Sequence, residues 1–212
     1  MKVNAPTLAP ILRSDAQGRI LARVLIDPEK SHSLSDLVDS TDTSMPTVLR
    51  EVLRAEEAGI LITEKIGPIR QVCARVDHPL YDAVRRIILA TYGPPTVVAE
   101  EFANLEGAEA VLLIGSWAAR YLGEAGRSPN DIDVLVIGDA DRDLADGAAA
   151  RAEERIGMPV QATVRALSQW KTERGSFIQE VKSRPLVAIL VNDEQEFGQE
   201  LRELEVRGSR SP

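Results

Sequence analysis

VLLIGSWAARYLGEAGRSPNDIDVLVIGD, residues 111–139, is the stretch on which the reading of this chain turns. Val111–Ile114 is an unbroken apolar run, the pattern of a buried strand. It ends in Gly115-Ser116, where a helix is expected to begin. A second strand follows over Ile132–Ile137 and brings Asp131 and Asp133 with it. Strand residues two apart face one side, so these two carboxylates point the same way. Such a pair suits a divalent cation with a taste for oxygen, and Mg²⁺ commonly arrives with a phosphate. Gly115 allows close approach of backbone to a ligand, and a helix N-terminus behind it favours an anion. The stretch therefore reads as a phosphate cradle opposite a metal clamp. Two plainer roles stay open: Asp131 capping the turn after Pro129-Asn130, and Asp133 as a hydrogen-bonded strand residue. Against them stands charge repulsion, because two inward carboxylates need a cation or a proton between them.

Composition sets the frame around that stretch. The 212 residues suffice for one large domain or two small ones, and a hydrophobic fraction of 44% can build a core. No apolar run reaches the ~18 residues of a membrane span, and MKVNAPTLAP lacks a signal-peptide pattern. The single cysteine, Cys73, rules out an internal disulfide, and two histidines, His32 and His78, argue against a His-based zinc site. A cytoplasmic protein with no membrane partner is the expectation. Residues 1–93 hold 12 Lys/Arg and 12 Asp/Glu, net zero; residues 94–212 hold 13 and 21, net −8. The second half is a poor nucleic-acid surface, whereas the first is free to carry a local basic face.

The boundary is expected at Tyr92-Gly93-Pro94-Pro95, where a helix should stop. Before it, Leu8–Ile26 carries a helical stripe with a possible break at Gly18. Ser33 caps a short helix over Leu34–Val38, and Ser44-Met45-Pro46 opens another that Gly59 ends. Ile60–Thr63 and Val72–Val76 form a hairpin across Gly67-Pro68, and Pro79–Tyr92 is a longer helix. In the helix from Pro46, Val48, Leu49, Val52 and Leu53 are expected to face the core. Thr47, Arg50 and Arg54 would then face outward.

Helix, turn, helix, hairpin, helix is the order of a winged helix-turn-helix, and TSMPTVLREVLRAEEAGIL resembles the arsenical-repressor-like family of bacterial regulators. The resemblance covers roughly residues 8–93 and lies in pattern and order. It implies DNA binding, with Thr47, Arg50 and Arg54 in the major groove and Lys65 and Arg70 flanking the hairpin tip on phosphate or a minor groove. It also implies a homodimer, with the helix after Pro79 as candidate interface. The alternative is a winged helix that serves protein contacts. Cys73 reads as structural and His78 as a turn residue.

The second half, residues 94 to about 192, resembles the nucleotidyltransferase fold of the DNA-polymerase-β type. The match lies in Gly115-Ser116 together with Pro129-Asn130-Asp131-Ile132-Asp133, as in the minimal nucleotidyltransferases. The resemblance implies an α+β chain: a winged helix domain over 1–93, then an α/β nucleotidyltransferase-like domain with a small mixed sheet over 94–212. It makes Gly115 and Ser116 contacts to a nucleoside triphosphate. Asp131 and Asp133 become Mg²⁺ ligands and catalytic acids. Arg120, one turn on from Ser116, either faces the same anion or is a surface arginine. The family's third carboxylate would fall near Gln161 or Thr163, and neither is acidic. Gln161 offers an oxygen but no base at neutral pH. The segments Ser168–Trp170, Phe177–Val181 and Pro185–Leu190 resemble a fused subgroup that also lacks that acid.

Three readings follow. The chain is a DNA-binding regulator whose second domain binds nucleotide and Mg²⁺. Or it transfers a nucleotide, AMP foremost, to a hydroxyl of a protein, RNA or small acceptor, as the antitoxins that modify a partner toxin do. Or it is an interaction module with a decayed site and a partner protein.

Overall fold

The computed structural model describes residues 12–172, 175–192 and 201. The chain is α+β, with one three-stranded and one four-stranded sheet. It divides into two compact units, one running to Thr96 and including Arg155–Gly157, the other Val97–Glu154 with the residues from Met158 on. Among the described residues no helix is long and apolar enough to cross a membrane.

The first unit begins with α1 (Asp15–Leu25), capped by Ser14, whose hydroxyl accepts from the Gln17 amide. The part of the expected helix over residues 8–11 lies outside the described residues. No break occurs at Gly18. The helix runs through it, with the Gly18 N–H bonded to the Ser14 carbonyl at 3.3 Å, and the Tyr92 ring occupies the space where a side chain would stand. Gly18 is therefore a packing residue, and its cost in helix propensity is offset by the close approach. A two-residue strand β1 (His32–Ser33) leads into α2 (Leu34–Thr41). There Ser33 and Asp36 form a reciprocal capping box. Helix α3 (Met45–Glu57) starts with Pro46 in its first turn, where the missing N–H costs nothing.

Strands β2 (Leu61–Ile66) and β3 (Ile69–Ala74) form the hairpin, and β1 pairs with β3, giving the antiparallel order β1-β3-β2. The unit closes with α4 (Tyr81–Tyr92). Its core gathers Val24, Leu25, Leu37, Val48, Val52, Leu61, Val72 and Ile88. The core side of α3 differs from the sequence expectation: Leu49 and Leu53 are 36% and 44% exposed. Val48 and Val52 are inside as expected, and Glu51 and Ala55 join them in place of the two leucines. The i, i+3, i+4, i+7 stripe of a helix admits either set, and the other helices and the hairpin select the one that includes a carboxylate.

Pro94 and Pro95 do not merely stop α4; they open α5 (Pro94–Phe102), since proline suits a first helical turn. The division between units thus falls inside α5, just past the boundary expected at Gly93. Next come β4 (Ala108–Ile114), α6 (Gly115–Tyr121), β5 (Ile132–Gly138) and α7 (Arg142–Ile156). The Asp141 carboxylate accepts from the Leu144 amide and so caps α7. The remaining elements are β6 (Val160–Arg165), α8 (Leu167–Lys171), α9 (Ser176–Ser183) and β7 (Val187–Val191). The sheet order is β6-β5-β4-β7, with β5 and β6 parallel and the other pairs antiparallel. On one face Leu112, Ile114, Leu135 and Ile137 pack with Trp170, Ile178 and Val181. Asp133 is two residues before Leu135 and so belongs to this helix-covered face.

Candidate functional site

The centre of the second unit is the register pair Ile114↔Asp133, where β4 ends beside the start of β5. Gly115 follows with φ +72, in the left-handed region. A Cβ there would also run into Oδ2 of Asp133. The glycine is thus required twice, by its backbone angle and by the carboxylate lying against it. What the bare backbone approaches is this acid of the same chain. Ser116 is exposed in the first turn of α6, and no side chain caps that helix.

Asp131 lies just before β5, and its Oδ2 accepts from Nε2 of Gln161 at 3.2 Å. Gln161 is the register partner of Asp133 on β6. The three side chains therefore form one cluster at the edge where β5 and β6 begin. Burial first, and then the negative charge of Asp131, hold the Asp133 carboxyl above the usual carboxylate range. Among the described residues no three His, Cys, Asp or Glu side chains stand together as a metal cage. The oxygen donors at this edge are two carboxylates and one amide.

Asp133 opens into a cavity of about 180 Å³. Gly115, Asp133 and Thr163 form its sheet side; Phe177, Glu180 and Arg184 form the other. Glu180 Oε1 and Arg184 Nη1 are 3.0 Å apart, an exposed i, i+4 pair. The Arg165 guanidinium lies 5.1 Å above the Phe177 ring. Phe177–Val181 of α9 carries the resemblance to a fused subgroup, but its place in the cavity wall is not expected from the sequence. Its signal was available: Phe177, Ile178 and Val181 repeat at helical spacing, and Glu180 and Arg184 form an i, i+4 acid–base pair. Nothing local says that this pair sits across from Asp133.

Arg120 does not join the cavity wall. Its Nη1 donates to the Glu124 carbonyl at 2.6 Å, and Nη2 lies 3.8 Å from the Glu124 carboxylate. The guanidinium thereby ties down the loop after α6, with the side chain 19% exposed. Its Nε is buried without a partner among the described residues.

In the first unit, Arg50, Lys65 and Arg70 are exposed. Lys65 and Arg70 are register partners beside the hairpin tip. They share a sheet face with Thr63, whose hydroxyl donates to Glu56 of α3 at 2.6 Å, so that face is turned towards α3. The Thr47 and Ser44 hydroxyls share a hydrogen bond of 3.0 Å. Arg54 is engaged with Glu51 at 2.8 Å, and Glu51 is only 5% exposed. The guanidinium is thus tied to a buried carboxylate, while the Arg54 side chain stays 34% exposed. Burial lifts the Cys73 thiol above its ordinary range, in keeping with a structural role. His32 is buried, its Nε2 has no partner among the described residues, and burial followed by Arg23 and Lys30 pushes its pKa down to about 4.

No protein-family model, curated protein or solved structure matches this chain.

Proposed function

We propose that the chain is a DNA-binding transcriptional regulator whose second unit holds a nucleoside triphosphate with Mg²⁺. The observation that carries the reading is the Asp133 carboxylate, pressed against Gly115 at the mouth of a cavity and raised in pKa by burial and by Asp131. A cation beside the two acids would relieve that repulsion, and hard oxygen donors suit Mg²⁺. The residues therefore fit the ion, with Asp131 and Asp133 as ligands and the Gln161 amide beside them. Bound there, Mg²⁺ would neutralise phosphate charge. Gly115 and Ser116 supply backbone N–H groups and a hydroxyl for the phosphates. The Gly-Ser turn and the Asp-x-Asp strand within a β6-β5-β4-β7 sheet favour a nucleotidyltransferase fold for residues 94–212.

For residues 1–93, the helix–helix–hairpin–helix order and the β1-β3-β2 sheet support a winged helix that reads DNA. Arg50 on α3 and Lys65 and Arg70 on the hairpin carry that contact; Arg54 is set aside by its pairing with Glu51. The exposed Ile87 of α4 and the exposed Leu80 at its N-cap favour this helix as the interface of a homodimer.

A second reading, nucleotidyl transfer to a hydroxyl, draws on Glu180. β6 has no acid at Gln161 or Thr163, but α9 brings a carboxylate to the same cavity. There the acceptor hydroxyl would pass its proton to Glu180 while its oxygen bonds the α-phosphorus and pyrophosphate departs. Incubation with α-labelled ATP and Mg²⁺, wild type beside Asp131→Ala/Asp133→Ala, tests both. Nucleotide retained only by wild type supports the pocket. Label joined covalently to an acceptor selects transfer, and no retention by wild type refutes the pocket.

A further inference from the structure

The hairpin tip has two unlike faces. Ile66 and Ile69 pair directly across it and are 63% and 49% exposed. Gly67 between them takes φ +61, followed by Pro68. This is the glycine-first pattern of a tight hairpin turn, stiffened by proline. One pair back, Lys65 and Arg70 occupy the opposite face, the one turned towards α3. The tip is thus a narrow, rigid apolar edge backed by two cations. Nothing in the unit's own core needs the isoleucines, since the core uses Leu61, Val72 and Ala74 from these strands. Leaving two β-branched apolar side chains in water costs solvation free energy that a partner would recover.

We propose that Ile66 and Ile69 form a wedge that enters the minor groove of double-stranded DNA and bends it, with Lys65 and Arg70 on the phosphates. The inference rests on the DNA reading above and goes beyond it by assigning the tip a deforming role. Apolar side chains of this size open base steps when flanking cations hold the backbone. Charge complementarity favours DNA: the tip's cations face phosphate while the apolar pair faces the bases. A further exposed cation in the same unit, Arg50 on α3, gives a contact on two elements, which a grooved duplex satisfies better than a flat bilayer. Glu64 and Gln71 follow the isoleucines on their own face. The carboxylate there limits insertion to the one apolar pair.

The test uses the full chain and an A·T-rich duplex of about 30 bp with fluorophores at its two ends. Wild type is expected to bind and draw the ends together. Ile66→Ser/Ile69→Ser should bind within about tenfold of wild type yet leave the duplex as straight as free DNA. Lys65→Ala/Arg70→Ala should weaken binding and lower the slope of log affinity against log salt by about two. Thermal unfolding checks that each variant folds like wild type. Binding by wild type without bending, or equal bending by the serine variant, overturns the wedge and leaves the DNA reading standing. Absence of any duplex binding by wild type overturns the DNA reading and the wedge with it. Isoleucine-dependent binding to phosphatidylcholine/phosphatidylglycerol vesicles, with no effect on the duplex, overturns the wedge in favour of a lipid surface.

Discussion

The two units spend their apolar residues differently. Met45, Leu49, Leu53, Ile62, Ile66, Ile69, Val76, Leu80 and Ile87 of the first are exposed, against Leu144 alone among the described residues of the second. The second unit instead buries its apolar strands and keeps polar groups around an open cavity. Surface-exposed apolar groups beside cations suit contact with a large partner. A small cavity with carboxylates, a hydroxyl and an arginine suits a small polar ligand. The charge divides the same way, zero before residue 94 and −8 after it. One chain thus presents an outward-facing unit and an inward-facing one.

The largest effect expected on this contrast comes from His32, which the first unit buries with no partner for Nε2 among the described residues. Its folded pKa of about 4 lies below the unfolded value near 6.5. The neutral ring is therefore favoured by folding. Its stability contribution is complete above pH ~6.5 and lost as pH falls through that window, up to about 3 kcal/mol. Hydrogen exchange of α1 to α4 between pH 7 and 4.5 should show the first unit loosening, and His32→Leu should flatten that dependence. Equal loosening of wild type and variant would break the assignment.

Next is Gly115→Ala. The left-handed backbone and the collision with Asp133 should cost about 2 kcal/mol, read as a lowered melting temperature. Adding Asp133→Gly should restore part of it by removing the carboxylate; no recovery would separate the glycine from the acid.

Arginines of α3 sharpen the picture within the first unit. Arg54→Ala leaves Glu51 buried and unpaired, so it should destabilise the unit by about 1–2 kcal/mol. Arg50→Ala should leave stability unchanged and weaken a shift of the protein's own promoter about tenfold. An unchanged shift would sink the placement of α3 in the groove. The smallest effect is expected from Asp133→Asn without metal. Because the folded pKa is raised, ionisation of Asp133 opposes folding as pH rises through the carboxylate range. The amide should melt slightly higher than wild type at pH 7, and lower once Mg²⁺ and nucleotide are present.

Much of this was readable in advance. The hairpin across Gly67-Pro68, the capped start at Ser33 and the strand–Gly-Ser–helix–strand run over residues 111–138 are local patterns, and the backbone follows them. The strand β1 was not readable, because two residues carry no periodicity. Nor was the burial of Glu51 in place of Leu49 and Leu53, since one amphipathic stripe can roll on its axis by a side chain. Arg120 was placed by spacing alone, and the chain's return at Glu124 supplied a nearer partner.

The residues by themselves determined that Asp131 and Asp133 share a side, that Gly115 ends a strand, and that Lys65 and Arg70 flank a tight turn. Strand pleat and turn geometry act over a few residues and are written locally. Only the tertiary structure decided that Gly115 lies against the Asp133 carboxylate, that Gln161 meets Asp131, and that Glu180 and Arg184 close the cavity. Those contacts join segments tens of residues apart, and their positions depend on how the sheet and its helices pack as a whole.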